Sequence, residues 1–164
     1  MNQTLNTVFQ DARHLLQFNP HKGSLRCSDY RSGEIIWIRR LDDAEYIAGV
    51  LADNLSFYVP VESGDKQGIF LCLERETGET RWHIPGRSLM QLVYDGFLYL
   101  IFIDDQQRYF LLKVALDNGA TAWYHQVEED LTGYSFKGDI ITLEYASGNV
   151  ETLDASSGAT RAVS

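Results

Sequence analysis

The sequence predicts an all-β protein made of four similar units, because one glycine turn recurs along the chain and helical periodicity is missing. A polar pair followed by glycine separates two β-prone runs at Gly33, Gly78, Gly119 and Gly158. These glycines lie 45, 41 and 39 residues apart. Glycine adopts positive φ without a steric penalty, so a turn of this kind between apolar runs is typical of a β-hairpin. No segment shows a helical repeat of useful length.

Each unit contains a second, earlier hairpin. Asp53-Asn54 separates the apolar runs 47–51 and 55–59, and Asp95-Gly96 separates 92–94 from 97–103. Four strands in about 40 residues are typical of one β-propeller blade. The sequence therefore predicts a single β-propeller domain over residues 1–164, built of four four-stranded antiparallel blades. The blades are expected at about 5–40, 44–85, 89–126 and 131–164.

The position of the units along the chain leaves two ways of closing a propeller. The chain begins with an inner strand and ends with an outer strand, so it contains four whole units. One chain could form a small four-bladed ring as a monomer. Alternatively, two chains could complete an eight-bladed propeller as a homodimer. An open arc is disfavoured because it would expose apolar blade faces.

A tryptophan and an acid accompany the turn glycine at fixed distances. The tryptophan follows by four positions in three units, as Trp37, Trp82 and Trp123, and Ala162 is the exception. The acid precedes by four positions in three units, as Asp29, Glu74 and Asp154, and Ala115 is the exception.

This pattern, clearest over Glu74-Arg75-Glu76-Thr77-Gly78-Glu79-Thr80-Arg81-Trp82, resembles the tryptophan-docking motif of quinoprotein-like propellers. That family includes the pyrroloquinoline-quinone (PQQ) dehydrogenases and related outer-membrane assembly scaffold lipoproteins. The resemblance covers nearly the whole chain, and it implies that the tryptophan of one blade lies against the turn of the next. The residues expected to dock the blades in this way are Gly33, Trp37, Gly78, Trp82, Gly119, Trp123 and Gly158. Family members usually carry seven or eight blades, whereas this sequence has four.

The residues that would mark an enzyme are missing from the sequence. PQQ dehydrogenases hold their cofactor with calcium, acidic and amide ligands and often two adjacent cysteines, whereas Cys27 and Cys72 are far apart. The four histidines have no zinc-type spacing, and neither a nucleophile elbow nor a phosphate loop is present. We therefore expect no catalytic residue, no cofactor, no metal and no enzyme activity.

The charge and the start of the sequence restrict the partners and the compartment. A formal net charge of −9 argues against a nucleic-acid partner, because phosphate contacts need lysine and arginine. The sequence shows no signal peptide and no apolar run long enough to cross a membrane. Two cysteines do not form a disulfide framework. We expect a cytoplasmic protein without a membrane partner, unless a leader has been removed.

Acidic residues cluster in the loops expected at one face of the blades, where second-to-third-strand loops and blade connections meet. The predicted acidic rim consists of Asp42, Asp43, Glu45, Glu62, Asp65, Asp104, Asp105, Glu128, Glu129 and Asp130. It favours a non-catalytic interaction or scaffold module whose partner is a protein with a basic surface. Three alternatives are a solvated loop surface, a calcium site, and a small-molecule or cofactor-binding protein, with an enzyme as one form of it, that uses the central channel. Ser135, Gln91, Tyr94 and Tyr134 would line that channel.

Overall fold

The computed structural model describes residues 4–64 and 66–163, with the side chain of Val163 left out. The first sheet has four strands in chain order. They are β1 (Asn6–Gln10), β2 (His14–Asn19), β3 (Ser24–Asp29) and β4 (Ile35–Arg40). Alternation along β2 and β3 places Leu16, Phe18, Leu25 and Cys27 in the interior, where each is at most 1% exposed.

The second sheet has its innermost strand in two pieces. The strands are β5 (Ala44–Ile47), β6 (Leu51–Ala52), β7 (Ser56–Ser63), β8 (Gln67–Glu74) and β9 (Thr80–Pro85). Both β5 and β6 pair with β7. The sequence predicts one continuous run over 47–51, but strand pairing stops at Ala48-Gly49-Val50. One backbone bond, from Ala48 N to Pro60 O at 3.2 Å, keeps this segment beside the sheet.

The third and fourth sheets again follow chain order. The third contains β10 (Arg87–Tyr94), β11 (Phe97–Ile103), β12 (Tyr109–Ala115) and β13 (Thr121–Val127). The fourth contains β14 (Leu131–Lys137), β15 (Ile140–Tyr145), β16 (Val150–Asp154) and β17 (Thr160–Val163).

These four antiparallel sheets confirm the predicted fold class, an all-β, four-blade propeller-like fold. Every helix or strand assigned within residues 4–64 and 66–163 is a strand. In each sheet the two hairpin turns lie at one end of the strands, because neighbouring strands are antiparallel. The loop between the second and third strands lies at the other end, together with the connection to the next sheet.

The chain divides into two compact units, one ending at Ser88 and the other starting at Leu89. In the first unit, one apolar core joins the first and second sheets through side chains such as Leu16, Phe57 and Leu73. In the second unit, another core joins the third and fourth sheets, with Leu111 and Leu143 fully buried. Burial of each such side chain is worth about 1.5–3 kcal/mol, so each pair of sheets has its own source of stability.

The repeated glycine turns share one geometry. Gly33 and Gly78 have φ of 75°, and Gly119 and Gly158 have φ of 74°. In each turn the glycine N–H donates to the carbonyl four residues earlier, as Gly33 does to Asp29 O at 2.9 Å. Asp29 Oδ1 also accepts the backbone N–H groups of Arg31 and Ser32, at 2.9 and 2.8 Å. In the first sheet these bonds give the acid before the turn a structural role.

Candidate functional site

Trp37 forms the most closely fitted contact between the first and second sheets. Its Nε1–H donates to the carbonyl oxygen of Arg75 at 2.7 Å, and its side chain is buried. The indole ring covers the turn glycine of the second sheet so closely that a Cβ on Gly78 would lie 2.6 Å from Trp37 Cδ2. Glycine is therefore required at position 78 for space as well as for its positive φ.

Trp123 makes the same contact between the third and fourth sheets. Its Nε1–H donates to Ala155 O at 2.8 Å, and a Cβ on Gly158 would lie 2.6 Å from Trp123 Cδ2. Trp82 is also buried, and its ring stacks on Phe70 with centroids 5.9 Å apart. A Cβ on Gly33 would meet no atom within 4 Å, so that glycine is needed for its backbone conformation alone.

A buried arginine, which the sequence pattern did not predict, lies beside the Trp37 contact. Arg75 is 3% exposed, and its Nη2 donates to Asp11 Oδ2 at 2.6 Å. Nε and Nη2 lie 3.1 and 2.9 Å from His14 Nδ1, and Nη1 donates to Asp53 O at 3.0 Å. The guanidinium carbon lies 4.8 Å from the centre of the Phe57 ring. The cation thus has both a stacking partner and hydrogen-bond acceptors, which a buried charge requires.

The Arg75 cluster shifts the titration of two neighbours. Partial burial opposes ionisation of Asp11, but hydrogen bonds from Arg75 and from the backbone of His14 and Arg13 lower its pKa to about 2. Burial lowers the pKa of His14, and the positive charge of Arg75 lowers it further. Both shifts favour an ionised Asp11 and a neutral His14 in the folded protein.

The predicted acidic rim is only partly assembled in the first unit. Asp43 and Glu45 line an open cleft of about 380 Å³ together with Ser63, Gly64 and Gln67. Glu62 lies 3.8 Å from Arg87, and the exposed Asp42 lies 3.5 Å from Arg40. Asp65 lies outside the described residues. Two of the predicted carboxylates are therefore beside a cation, and two line one cleft.

In the second unit, predicted acids meet at the loops after β13 and after β15. Glu128 and Asp130 line a pocket of about 210 Å³ with Glu151. The sequence did not predict Glu151 as part of this group, because it is the second residue of strand β16 and not a loop residue. Asp130 Oδ2 accepts Ser147 N at 3.1 Å, and Glu151 Oε1 lies 3.1 Å from His125 Nε2. We call Glu128, Asp130 and Glu151 the acidic pocket.

The other acids of the second unit do not line the acidic pocket. Asp104 stabilises its own loop, since its Oδ1 accepts the N–H groups of Gln106 and Arg108 at 2.9 and 2.8 Å. Its Oδ2 also accepts Arg108 Nε at 2.7 Å. These hydrogen bonds, chiefly the one from the Arg108 backbone, lower the pKa of Asp104. Asp105 and Glu129 are exposed.

A second cavity, here called the aromatic pocket, opens between the third and fourth sheets at their hairpin ends. It has a volume of about 430 Å³, with aromatic walls, two carboxylates and one lysine. Its principal lining residues are Tyr94, Asp95, Phe97, Tyr99, Lys113 and Asp139. Lys113 is 9% exposed, and its Nζ donates to Ala155 O at 2.9 Å and lies 4.1 Å from the centre of the Phe97 ring.

The tyrosines expected to line a central channel bond to neighbouring strands. Tyr94 OH donates to Gly138 O at 3.0 Å, and its ring stacks on Phe136 with centroids 4.3 Å apart. Tyr134 OH is hydrogen bonded to Met90 O and lies 3.2 Å from Tyr99 O. Burial raises the pKa of Tyr134 and raises that of Tyr99 to about 12. Tyr99 and Tyr134 are therefore neutral at physiological pH. The hydrogen bonds of Tyr94 and Tyr134 join the third sheet to the fourth.

The histidines and cysteines are dispersed. His83 is exposed, and both Cys27 and Cys72 are buried and unpaired. Burial raises the pKa of the Cys27 thiol to about 12, which makes it a poor nucleophile. Over residues 4–64 and 66–163, no group of three or more histidine, cysteine or acidic residues is arranged to hold a metal ion. Nor does that part of the chain contain a helix long and apolar enough to span a membrane.

The recurring turn, the covered glycines and the four sheets agree with a known family. The family described as "Outer membrane protein assembly factor BamB" matches residues 21–163. The chain belongs to this PQQ-like propeller repeat family. The suspected family resemblance is therefore confirmed. No curated protein matches the sequence.

Solved structures show the same fold at low sequence identity. BamB from Moraxella catarrhalis is similar with a TM-score of 0.66 and 15% identity, over 96% of this chain and 51% of BamB. Quinohemoprotein alcohol dehydrogenase from Comamonas testosteroni is similar with a TM-score of 0.60 and 11% identity, over 99% of this chain and 37% of the enzyme. The computationally designed protein Ika4 has a TM-score of 0.64 and 11% identity, over 94% and 92% of the two chains. The chain thus spans about half the length of BamB.

Proposed function

We propose that this chain is a non-catalytic protein-interaction module that binds a basic partner through its acidic loops. The observation that carries the proposal is the acidic pocket, where Glu128, Asp130 and Glu151 line one cavity. A net charge of −9 gives the whole chain an attraction for basic proteins. The family's description as an assembly factor agrees with a role in contacting other proteins.

Charge complementarity is expected to set the specificity and the rate of this binding more than its strength. Glu128 and Glu129 of the second unit are exposed, as are Asp42, Asp43 and Glu45 of the first. Exposed carboxylates of this kind contribute little to stability but steer a partner of opposite charge. Their attraction weakens with salt, because the Debye length falls from about 10 Å at 0.1 M to about 3 Å at 1 M ionic strength.

Charge reversal at one end of the strands tests the proposal. The tagged chain is used to capture partners from a native extract, which are compared with those of the D42K/E128K/E129K variant. We expect the specific partner to be lost, and we expect capture by the unaltered chain to weaken as salt is raised. Capture that is unchanged in the variant would refute the acidic-loop assignment.

A matched variant controls for net charge and for folding. E34K/E79K/D117K makes the same change in charge at exposed residues of the hairpin turns, at the other end of the strands. This variant should retain the partner. Circular dichroism and thermal unfolding of both variants establish that any lost capture does not result from unfolding. Equal loss in both variants would mean that only the overall charge matters.

We also propose that the tryptophan contacts serve to dock the blades. The hydrogen bonds of Trp37 and Trp123 to the next sheet, and their fit over Gly78 and Gly158, support this role. A buried tryptophan removes a large apolar area from water while its N–H keeps a partner. Substitution of Gly78 or Gly158 by alanine, which would place a methyl group under the indole ring, tests this role.

We propose a cytoplasmic location for the protein, which its two unpaired cysteines support. The family description instead names the outer membrane, so the location needs its own measurement. Fractionation of cells that produce the natural protein should find it with cytoplasmic markers. Recovery with envelope markers would overturn this part of the proposal and leave the binding role open to its separate test.

A further inference from the structure

The aromatic pocket lies where the first unit has the Arg75 side chain. Arg75 O accepts the indole N–H of Trp37, and Ala155 O accepts the indole N–H of Trp123. Arg75 and Ala155 are each three residues before a turn glycine that a tryptophan covers, Gly78 and Gly158. The two positions are therefore equivalent. Alanine provides only a methyl group where the first unit has a complete arginine side chain.

The surroundings of Arg75 show what this fold places around a guanidinium group. In the first unit the group lies over the Phe57 ring, and it donates to a carboxylate of Asp11 and a carbonyl of Asp53. Both acids belong to first hairpin turns, the turns that join the first two strands of each sheet. The second unit has Asp95 and Asp139 in its own first hairpin turns, and both line the aromatic pocket.

The charges in the aromatic pocket favour a cation over an anion. Asp95 and Asp139 supply two negative charges, whereas Lys113 supplies one positive charge. Lys113 Nζ is already held by Ala155 O and the Phe97 ring. The walls formed by Tyr94 and Tyr99 remain beside the two carboxylates. Burial is the largest cause that raises the pKa of Tyr99, and the negative charges of Asp139 and Asp95 raise it further.

We propose that the aromatic pocket binds an arginine side chain presented by a partner protein. A planar guanidinium stacks on aromatic rings and forms paired hydrogen bonds with carboxylates, which the compact ammonium group of lysine does less well. The statement that a partner protein supplies the arginine rests on the proposed function, whereas the binding of a guanidinium group in the pocket does not. The aromatic pocket also lies at the opposite end of the strands from the acidic pocket, so separate substitutions can test the two.

A small probe tests the aromatic pocket without any partner. The isotope-labelled protein is titrated with N-acetyl-arginine amide, and amide chemical shifts are followed by NMR. We expect shifts confined to 94–99 and 138–139 and saturating at about millimolar concentration, since the probe is small. The neutral, equally shaped citrulline amide should bind at least about tenfold more weakly, and the lysine amide should also bind more weakly. No shifts in these segments, or equal binding of citrulline, would overturn the proposal.

Filling the pocket from within provides the decisive variant. A155R places an arginine where the first unit has Arg75, and we expect it to fold and to lose the response to the probe. A155S, which adds only a hydroxyl group, should keep the response, and D95N/D139N should weaken it about tenfold or more. If A155R does not fold, D95N/D139N decides alone. A response that survives in the folded A155R or in D95N/D139N would refute the assignment.

Partner capture separates this inference from the proposed function. If A155R no longer binds the probe but still captures the partner, the arginine does not come from that partner. This result would refute a partner protein as the source of the arginine and would leave the acidic-loop role intact. If D42K/E128K/E129K retains the partner while the probe still binds, the acidic-loop role is refuted and the aromatic pocket stands. Loss of capture in A155R, with A155S unaffected, supports the complete inference.

Discussion

The two tightly fitted sheet contacts, one in each unit, share a tryptophan but differ in the cation beside it. In the first unit the cation is Arg75, which comes from the turn of the second sheet and contacts His14 and Asp11 of the first. In the second unit it is Lys113, which comes from the third sheet itself. Lys113 pairs with Trp123 across the strands, as Cys27 pairs with Trp37. The cation therefore comes from the later of the two sheets in the first unit and from the earlier of the two in the second.

This difference shows which part of the repeat is required and which part varies. Steric fit requires the tryptophan and the glycine, because the ring lies so close to the glycine backbone that no space is left for a Cβ. The cation is held by electrostatics, which either side of the contact can supply. The residue that begins the second strand of the sheet also differs between the two contacts. It is His14, beside Arg75, in the first unit and Phe97, beside Lys113, in the second.

The largest effect is expected from a methyl group under either tryptophan. G78A and G158A should each lower the free energy of unfolding by about 3 kcal/mol, since both the positive φ and the overlap with the ring are unfavourable. G33A is the matched control: its φ is the same, but its Cβ would meet no neighbour. It should cost only about 1–2 kcal/mol. Chemical denaturation of the three variants provides the test, and equal losses would show that the ring contact contributes nothing.

The sequence predicted the four units and their strands because a turn glycine and alternating apolar residues leave a local pattern. Arg75 and Lys113 leave no such pattern. Arg75 lies within an exposed-looking polar turn, Glu74-Arg75-Glu76, and Lys113 occupies an apolar strand. Their burial depends on residues such as Asp11 and Ala155, about 64 and 42 positions away along the chain. The acidic rim was a similar case, because Glu151 joins Glu128 only after β13 and β16 have come together.

The second effect concerns the two cations. R75M removes a buried charge and leaves Asp11 and His14 without their partner, so the first unit should lose about 3 kcal/mol of stability. K113M removes one hydrogen bond, to a carbonyl that Trp123 still satisfies, and one contact with the Phe97 ring, so it should cost about 1–2 kcal/mol. Hydrogen exchange resolved by segment should locate each loss in its own unit. Comparable losses in both variants would mean that the two cations are equivalent.

The third effect is a pH dependence of the free energy of unfolding. It is expected from the Arg75 contact of the first unit, because the pKa values of His14 and Asp11 are lowered there. Because the pKa of His14 is lowered on folding, the unfolded chain takes up a proton first, and stability declines as the pH falls below about 6.5. Asp11, whose folded pKa is about 2, contributes fully above about pH 4 and loses its contribution between about pH 4 and 2.

The H14F variant, which places a phenylalanine as in the second unit, isolates the contribution of the histidine. Its stability should depend less steeply on pH between pH 7 and 5 than that of the unaltered chain, whatever its absolute stability. Denaturation measured at several pH values gives both slopes, and the other three histidines act equally on each. Identical slopes would show that His14 titrates alike in the folded and unfolded chains.

The smallest effect concerns a polar pair that has no role in either tryptophan contact. His125 Nε2 lies 3.1 Å from Glu151 Oε1, and both side chains are less than one-fifth exposed. E151Q keeps a hydrogen-bond acceptor but removes the charge, so it should change the free energy of unfolding by at most about 1 kcal/mol. The same substitution removes one of three charges from the acidic pocket, so capture of a basic partner should weaken although stability barely changes. Paired measurements of unfolding and capture would therefore separate binding from folding, and a parallel loss of both would show that Glu151 acts through the structure of the second unit.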